Sequence, residues 1–369
     1  MQPLRILEYV TASSLGGAEA AAVGLGNGLR ARGHDLLFVS PHGRKLTRVL
    51  EENRFSLWTP RTYGKVDPVT LSRLIATIRA RRIQIVHTHL STAGLLGSLA
   101  ARACGIPSVA TVHGFNTAFC YRFATRVVAV SEAVRNHLVG QGVPKNRISV
   151  VHNGTDVFRY ANLPDRDTSR SVLGIEPDER VVLYGGRLSP EKGVALLPPI
   201  LDHLVQRIPR TRMIVMGDGA LRSSVQQDFQ HRGLTSRVSM VGFHTDTRPY
   251  LAAADLLVLP SFKEGLPMIL IEGMAAGLPA VGTAAGGIPE VIVEGVTGCM
   301  TPIGDSRAIA NAIAPLLEDA ISAVRMGEAG RSHVRSNFSL DAWLSGWETV
   351  FADLLGVAGP MLEHCGAGL

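Results

Sequence analysis

Short, nearly unbroken apolar runs recur along the chain, and between them apolar residues return every three or four positions. In the first half the runs are LRILEYV (4–10), DLLFVSP (35–41), IQIVHTH (83–89), SVATVHG (108–114) and RVVAVS (126–131). Runs rich in Val, Ile and Leu, without two-residue alternation, belong to strands covered on both faces, as in parallel sheets. The stretches 18–32, 68–82 and 92–104 carry helical spacing, and Gly33 and Gly105 stand where a helix stops. The pattern restarts after residue 175 with RVVLYGG, RMIVMGD, RVSMVGF, LLVLPS and PAVGTA. Repeated β-α-β units on both sides of a polar stretch at 156–180 predict an α/β protein of two doubly wound, Rossmann-like domains. We place them at 1–160 and 161–339, with a helix at about 340–356 whose Trp343 and Trp347 give it a bulky apolar face able to pack back on the first domain. A cleft between two such domains is the expected ligand site, because strand C-terminal ends and helix N-termini converge on it.

Length and composition agree with this plan. A chain of 369 residues, 46% hydrophobic and 18% charged, is large enough for two buried cores. The four cysteines, at 104, 120, 299 and 365, form no C-x-x-C pair, so neither a zinc site nor a disulfide framework is implied and a reducing compartment follows. The opening run contains Arg5 and Glu8, which suits a first strand better than a secretory signal, and no stretch is long and apolar enough to span a membrane. A cytoplasmic location is expected. Charge is uneven: residues 1–150 hold 19 Lys and Arg against 7 Asp and Glu, a net of +12, while the remainder carries −6. A basic half suits an anionic lipid leaflet, nucleic acid or an acidic substrate, or is simply a solvated surface. With 5% aromatics and no interleaving of aromatic and basic residues, nucleic acid is set aside.

Candidate chemistry gathers at strand ends. Gly16 and Gly17 follow the first strand and precede a helix, where backbone can approach an anion. The nearby GLGNG at 24–28 lies within a helical run and reads as close helix packing. His87, His89 and His113 sit at strand C-terminal ends, where an open α/β sheet presents reactive groups. The His87–His89 alternation suggests a metal, but no third ligand with fitting spacing appears. The segment YGGRLSPEKG places Gly186, Arg187 and Lys192 around a helix start, a cradle for a diphosphate in which Arg offers a fork of donors and Lys a point charge. In SFKEGLPMILIEG, Glu264 precedes a helix that Pro267 begins, and Glu272 lies in its second turn. Two carboxylates fit an acid and nucleophile pair of a hydrolase, and equally fit acceptors for sugar and ribose hydroxyls.

The series GGAE, VHGF, VSEAV, HNGTD, GGRLSPEKG, MGDG, the E-x7-E segment at 264–272, GGIPEVI and GVTG resembles the family 4 retaining glycosyltransferases of GT-B fold, in the family's order and over nearly the whole chain. The resemblance implies two facing Rossmann-like domains, a nucleoside diphosphate sugar held mainly by the second and an acceptor held mainly by the first. It makes His113, Glu264, Arg187 and Lys192 the catalytic candidates. Gly16, Gly17, Gly186, Gly217, Gly265, Leu266, Pro267, Met268, Ile269 and Glu272 join Arg187, Lys192 and Glu264 around the donor, with Glu272 on the ribose and Glu264 and the following amides on the sugar. His113 is implied to contact the sugar near the reacting centre. The implied reaction moves a hexose from a UDP- or GDP-sugar to a lipid-linked or glycan acceptor in envelope polysaccharide, lipopolysaccharide or glycolipid assembly, without metal or cofactor, against an anionic membrane surface on the inner leaflet. The competing readings are a sugar-nucleotide epimerase or glycosidase on the same plan, and a non-enzymatic anion-binding protein.

Overall fold

The computed structural model describes residues 1–11, 16–61 and 67–357. The chain divides into two units: Met1–Asn153 joined by the segment from Leu340 onward, and Gly154–Ser339. The division falls before residue 160 because the short helix Val157–Ala161 packs on the helix Met268–Ala275 of the second unit.

The first unit is built on seven parallel strands: β1 (Arg5–Val10), β2 (Asp35–Val39), β3 (Ser56–Trp58), β4 (Ile85–His89), β5 (Ser108–Val112), β6 (Arg126–Ala129) and β7 (Ile148–Val150), in the order β3-β2-β1-β4-β5-β6-β7. The two outermost strands, β3 and β7, are three residues long and partly exposed, which is why no apolar run announces them. The register sets Glu8 opposite His87, His87 opposite Val109, and His89 opposite Thr111. Because side chains alternate between faces, Glu8, His87, His89 and Thr111 all project from the same face of the sheet. The helix Leu340–Leu355 covers that face, and its Trp343, Leu344, Trp347, Val350 and Phe351 share one core with Ile6, Leu25, Phe38 and Val109. The first helix, Gly17–Ala31, also belongs to this layer; a Cβ on Gly28 would stand 2.7 Å from Leu344 and one on Gly26 the same distance from Phe38. The GLGNG run is therefore a close-packing surface. Arg32 clasps the last helix through Glu348 at 2.6 Å and Asp341 at 3.0 Å.

The second unit holds six parallel strands, β8 (Arg180–Gly185), β9 (Thr211–Met216), β10 (Val238–Gly242), β11 (Leu256–Leu259), β12 (Ala280–Thr283) and β13 (Gly298–Thr301), in the order β10-β9-β8-β11-β12-β13. This is the doubly wound order, which reverses between β8 and β11. In sheets of this order, ligands bind outside the strand C-terminal ends at such a reversal. Among the described residues, no helix is long and apolar enough to cross a membrane.

Candidate active site

The second unit brings ten of the expected residues to the loops that leave β8 and β11 and to the helix that follows. After β8 the chain turns through Gly186 and Arg187 into a short 3-10 turn, Pro190–Lys192. Gly193 ends it with φ +65°, and a Cβ there would lie 1.8 Å from the Pro260 carbonyl oxygen. Only glycine allows both the left-handed turn and that approach. The loops are laced together because the N–H groups of Phe262 and Lys263 both donate to the Glu191 carbonyl, at 2.9 and 3.0 Å. Lys192 Nζ reaches across to both carboxylate oxygens of Glu264 at 2.6 Å, and the Ser261 hydroxyl donates to the same carboxylate at 3.2 Å. Glu264 is 6% exposed and Lys192 23%. Arg187 is different: 67% exposed and 3.8 Å from Glu191, it is a nearly free guanidinium.

The helix Met268–Ala275 begins one residue later than the sequence suggests, with Pro267 as its cap. Glu272 lies in its second turn and accepts a hydrogen bond from the Thr247 hydroxyl at 2.9 Å and another from Tyr160. Burial pushes the Glu272 carboxyl up to about 7. Nearby, Arg248 clasps Asp246 at 2.7 Å and holds its carboxyl down to about 2. Gly217, expected on the donor, stacks against backbone: a Cβ would come 1.9 Å from the Gly186 carbonyl oxygen, so its lack of a side chain lets the turns after β8 and β9 pack together. Gly265 and Leu266 are buried between Glu264 and the helix, and Met268 and Ile269 form the helix's half-buried first turn.

Gly16, Gly17 and His113 belong to the first unit. The turn residues 12–15 lie outside the described residues, so Gly16 and Gly17 are seen only as the cap and first residue of the helix Gly17–Ala31. His113 follows β5 and stacks on His89, its Nε2 3.0 Å from His89 Nδ1.

The sequence reading of His87 and His89 as lacking a third partner is corrected by Glu8, whose carboxylate oxygen lies 2.9 Å from His87 Nδ1 and 3.1 Å from His89 Nε2. The three donor atoms lie within 4.8 Å of one another, near enough to share a small cation. Spacing along the chain could not show this, since Glu8 arrives from the neighbouring strand. The signal was a lone carboxylate inside an apolar run. Thr247, Tyr160 and Ser261 carry no signal either, because single hydroxyl residues in loops or in a helix of five residues form no pattern.

Two doubly wound units with a cationic turn at the second unit's reversal point form the GT-B fold, and comparison with known proteins agrees. The model of Glycosyltransferase Family 4 matches residues 15–159 and that of Glycosyl transferases group 1 matches residues 165–333. The chain belongs to the family 4 glycosyltransferases and is a hexosyltransferase-type enzyme. It is 25% identical to the UDP-Gal:alpha-D-GlcNAc-diphosphoundecaprenol alpha-1,3-galactosyltransferase of Escherichia coli, over 83% of this chain and 86% of that protein. It is 27% identical to the N-acetyl-alpha-D-glucosaminyl L-malate synthase of Bacillus anthracis, over 93% and 95%. Among solved structures, Anabaena HepE in complex with UDP and glucose superposes with a TM-score of 0.85 at 24% identity, covering 95% of this chain and all of that one.

Proposed function

We propose that the enzyme moves a hexosyl unit from a nucleoside diphosphate sugar, UDP- or GDP-linked, to a glycan or lipid-linked acceptor of the cell envelope, with retention of configuration. The observation that carries this reading is the placement of Arg187, Lys192 and Glu264 on the adjoining loops of β8 and β11. As the glycosidic bond breaks, negative charge accumulates on the departing diphosphate, and fixed cations gain most at that moment. Arg187 offers forked donors and Lys192 a point charge, and no metal or other cofactor enters the proposed reaction. The leaving phosphate then takes the proton of the attacking hydroxyl on the same face, so neither glutamate acts as a nucleophile. Two features favour this over glycoside hydrolysis. Both oxygens of Glu264 are engaged by Lys192, and Glu272 already accepts hydrogen bonds from two hydroxyls, the role that ribose hydroxyls would continue.

The relatives lend direction: HepE is complexed with UDP and glucose, and the Escherichia coli enzyme is named for UDP-Gal and a diphosphoundecaprenol-borne acceptor. The net charge of +12 on residues 1–150 supports a first unit held against an anionic leaflet where such an acceptor resides. The test is thermal unfolding with UDP-, GDP- and ADP-sugars, because a donor at a hundred times its Kd adds about 2.7 kcal/mol of apparent stability. A transfer assay follows with the donor selected. Stabilisation by one base class and sugar release that requires an acceptor support the reading; release without an acceptor overturns it in favour of hydrolysis. Vesicle co-sedimentation that ignores anionic lipid and salt removes the membrane component alone.

A further inference from the structure

Five side chains of the first unit form one continuous hydrogen-bonded row: Thr111, His87, Glu8, His89 and His113. Thr111 Oγ1 lies 2.6 Å from His87 Nε2, Glu8 binds His87 Nδ1 at 2.9 Å and His89 Nε2 at 3.1 Å, and His89 Nδ1 lies 3.0 Å from His113 Nε2. All but His113 are buried, and the Trp347 ring packs on His87 with centroids 4.3 Å apart. With the three rings neutral, the protons in this row can be placed from donors and acceptors. A carboxylate only accepts, so His87 donates from Nδ1 and His89 from Nε2. The remaining nitrogen of each neutral ring must then accept: His87 Nε2 from the Thr111 hydroxyl, and His89 Nδ1 from His113. It follows that His113 carries its proton on Nε2, and its Nδ1, with no hydrogen-bond partner among the described residues, keeps a lone pair. Desolvation of the half-buried His113 ring, with His89 and His87 beside it, holds it well below the usual imidazole range, in keeping with a neutral acceptor.

We propose that Glu8 and His89 are positioning residues that lock His113 in this one tautomer, so that its Nδ1 accepts a hydrogen bond from a substrate hydroxyl. The inference rests on the proposed function together with the role that the family resemblance implies for His113, contact with the sugar near the reacting centre. The row explains why a carboxylate is tolerated in a buried central strand of the sheet: its charge is spent on fixing two imidazoles, and each ring nitrogen of the row except His113 Nδ1 finds a partner within it. An imidazole free to exchange its proton would present a donor at Nδ1 for part of the time, and the hydroxyl would then lose its acceptor.

The full-length protein, labelled with nitrogen-15 in its histidines, tests this without any donor, His113 being assigned by its loss in His113→Gln. The expected spectrum shows His113 protonated at Nε2 and bare at Nδ1 at neutral pH. A His113 protonated at Nδ1 or on both nitrogens, or a His89 bare at Nε2 as cation binding would require, overturns the proposal. In turnover, His89→Leu removes the acceptor, while His89→Asn leaves an amide oxygen near the place of Nδ1. His89→Leu is expected to lower kcat roughly tenfold or more with donor KM within about twofold, and His89→Asn to recover much of it. Unchanged kcat in folded His89→Leu sinks the proposal. Should His89→Leu fail to fold, the wild-type spectrum decides alone. Absence of sugar transfer by the wild type would count against the proposed function and leave the tautomer assignment standing.

Discussion

Lys192 is bound at 2.6 Å to both oxygens of Glu264, whereas Arg187, five residues earlier on the same loop, is 67% exposed and meets Glu191 only at 3.8 Å. The two cations therefore differ in what they do before a ligand arrives. Lys192 neutralises a buried carboxylate and braces two loops; Arg187 waits in solvent.

Removing either cation should weaken donor binding by roughly ten- to a hundredfold, since each contributes a charge-assisted contact of about 1.5–3 kcal/mol. Stability separates them. Lys192→Ala strands Glu264 at 6% exposure without its cation and is expected to cost about 1–3 kcal/mol, while Arg187→Ala stays within about 0.5 kcal/mol. Calorimetric titration with a nucleoside diphosphate and thermal unfolding of both variants measure the two effects. Equal loss of stability would show that the ion pair does not brace the loops.

Gly286 makes a second, independent handle on Glu264. It has φ +55°, a Cβ there would sit 1.9 Å from the Glu264 carbonyl oxygen, and the Gly287 N–H donates to that same oxygen at 2.9 Å. Gly286→Ala should therefore push the Glu264 backbone away at a cost of about 1–3 kcal/mol. Turnover should fall with it, although the residue bears no functional group. Glu264→Gln, which keeps size and loses charge, is expected to slow transfer with a largely intact fold. Circular dichroism and steady-state kinetics read both.

Glu272 sets a pH dependence. Its carboxyl titrates at about 7 in the folded protein, raised by burial above its ordinary value of 4.5. Ribose hydroxyls bind a carboxylate better than a carboxylic acid, so donor affinity should tighten as pH rises through about 7. The diphosphate diester of a nucleotide sugar is already fully ionised there, and Asp246, held to about 2, does not change. Stability runs the other way. A raised pKa favours the folded state while the proton is held, so this contribution is full below 4.5 and is lost as pH climbs through about 7. Glu272→Gln should flatten both profiles in titrations between about pH 6 and 8; a wild-type donor Kd that ignores pH over that range would remove Glu272 from the ribose.

Much of this is legible along the chain itself. Parallel sheets are covered on both faces, so their strands announce themselves as unbroken runs, and Arg187, Lys192, Glu264 and Glu272 stand beside glycines and prolines that mark turns and caps. What escapes depends on pairing across strands. Glu8 meets His87 only because β1 lies beside β4, 79 residues on, and Tyr160 meets Glu272 only because a short helix folds under a longer one. No periodicity encodes such meetings. The three-residue strands β3 and β7 are invisible for a related reason: too short and too exposed to form an apolar run.

The last helix supplies a final prediction about where the first unit's stability resides. Trp347 is 2% exposed and Phe351 fully buried, both over the face of β1 and β4 that carries Glu8 and His87, and Glu348 ties the helix to Arg32 at 2.6 Å and to His34 at 3.4 Å. Phe351→Ala opens a cavity in that core and should cost about 3–5 kcal/mol. Arg32→Ala removes a partner that is only partly shielded and leaves Glu348 with His34, so a loss nearer 1 kcal/mol is expected. Trp347→Phe retains the apolar contact but shortens the ring over His87, so it should shift the histidine resonances while costing about 1–2 kcal/mol. Denaturant unfolding of the three variants gives the ranking Phe351→Ala, Trp347→Phe, Arg32→Ala from largest loss to smallest. A ranking led by Arg32→Ala would mean that the helix is held by its ion pairs and not by the core it closes.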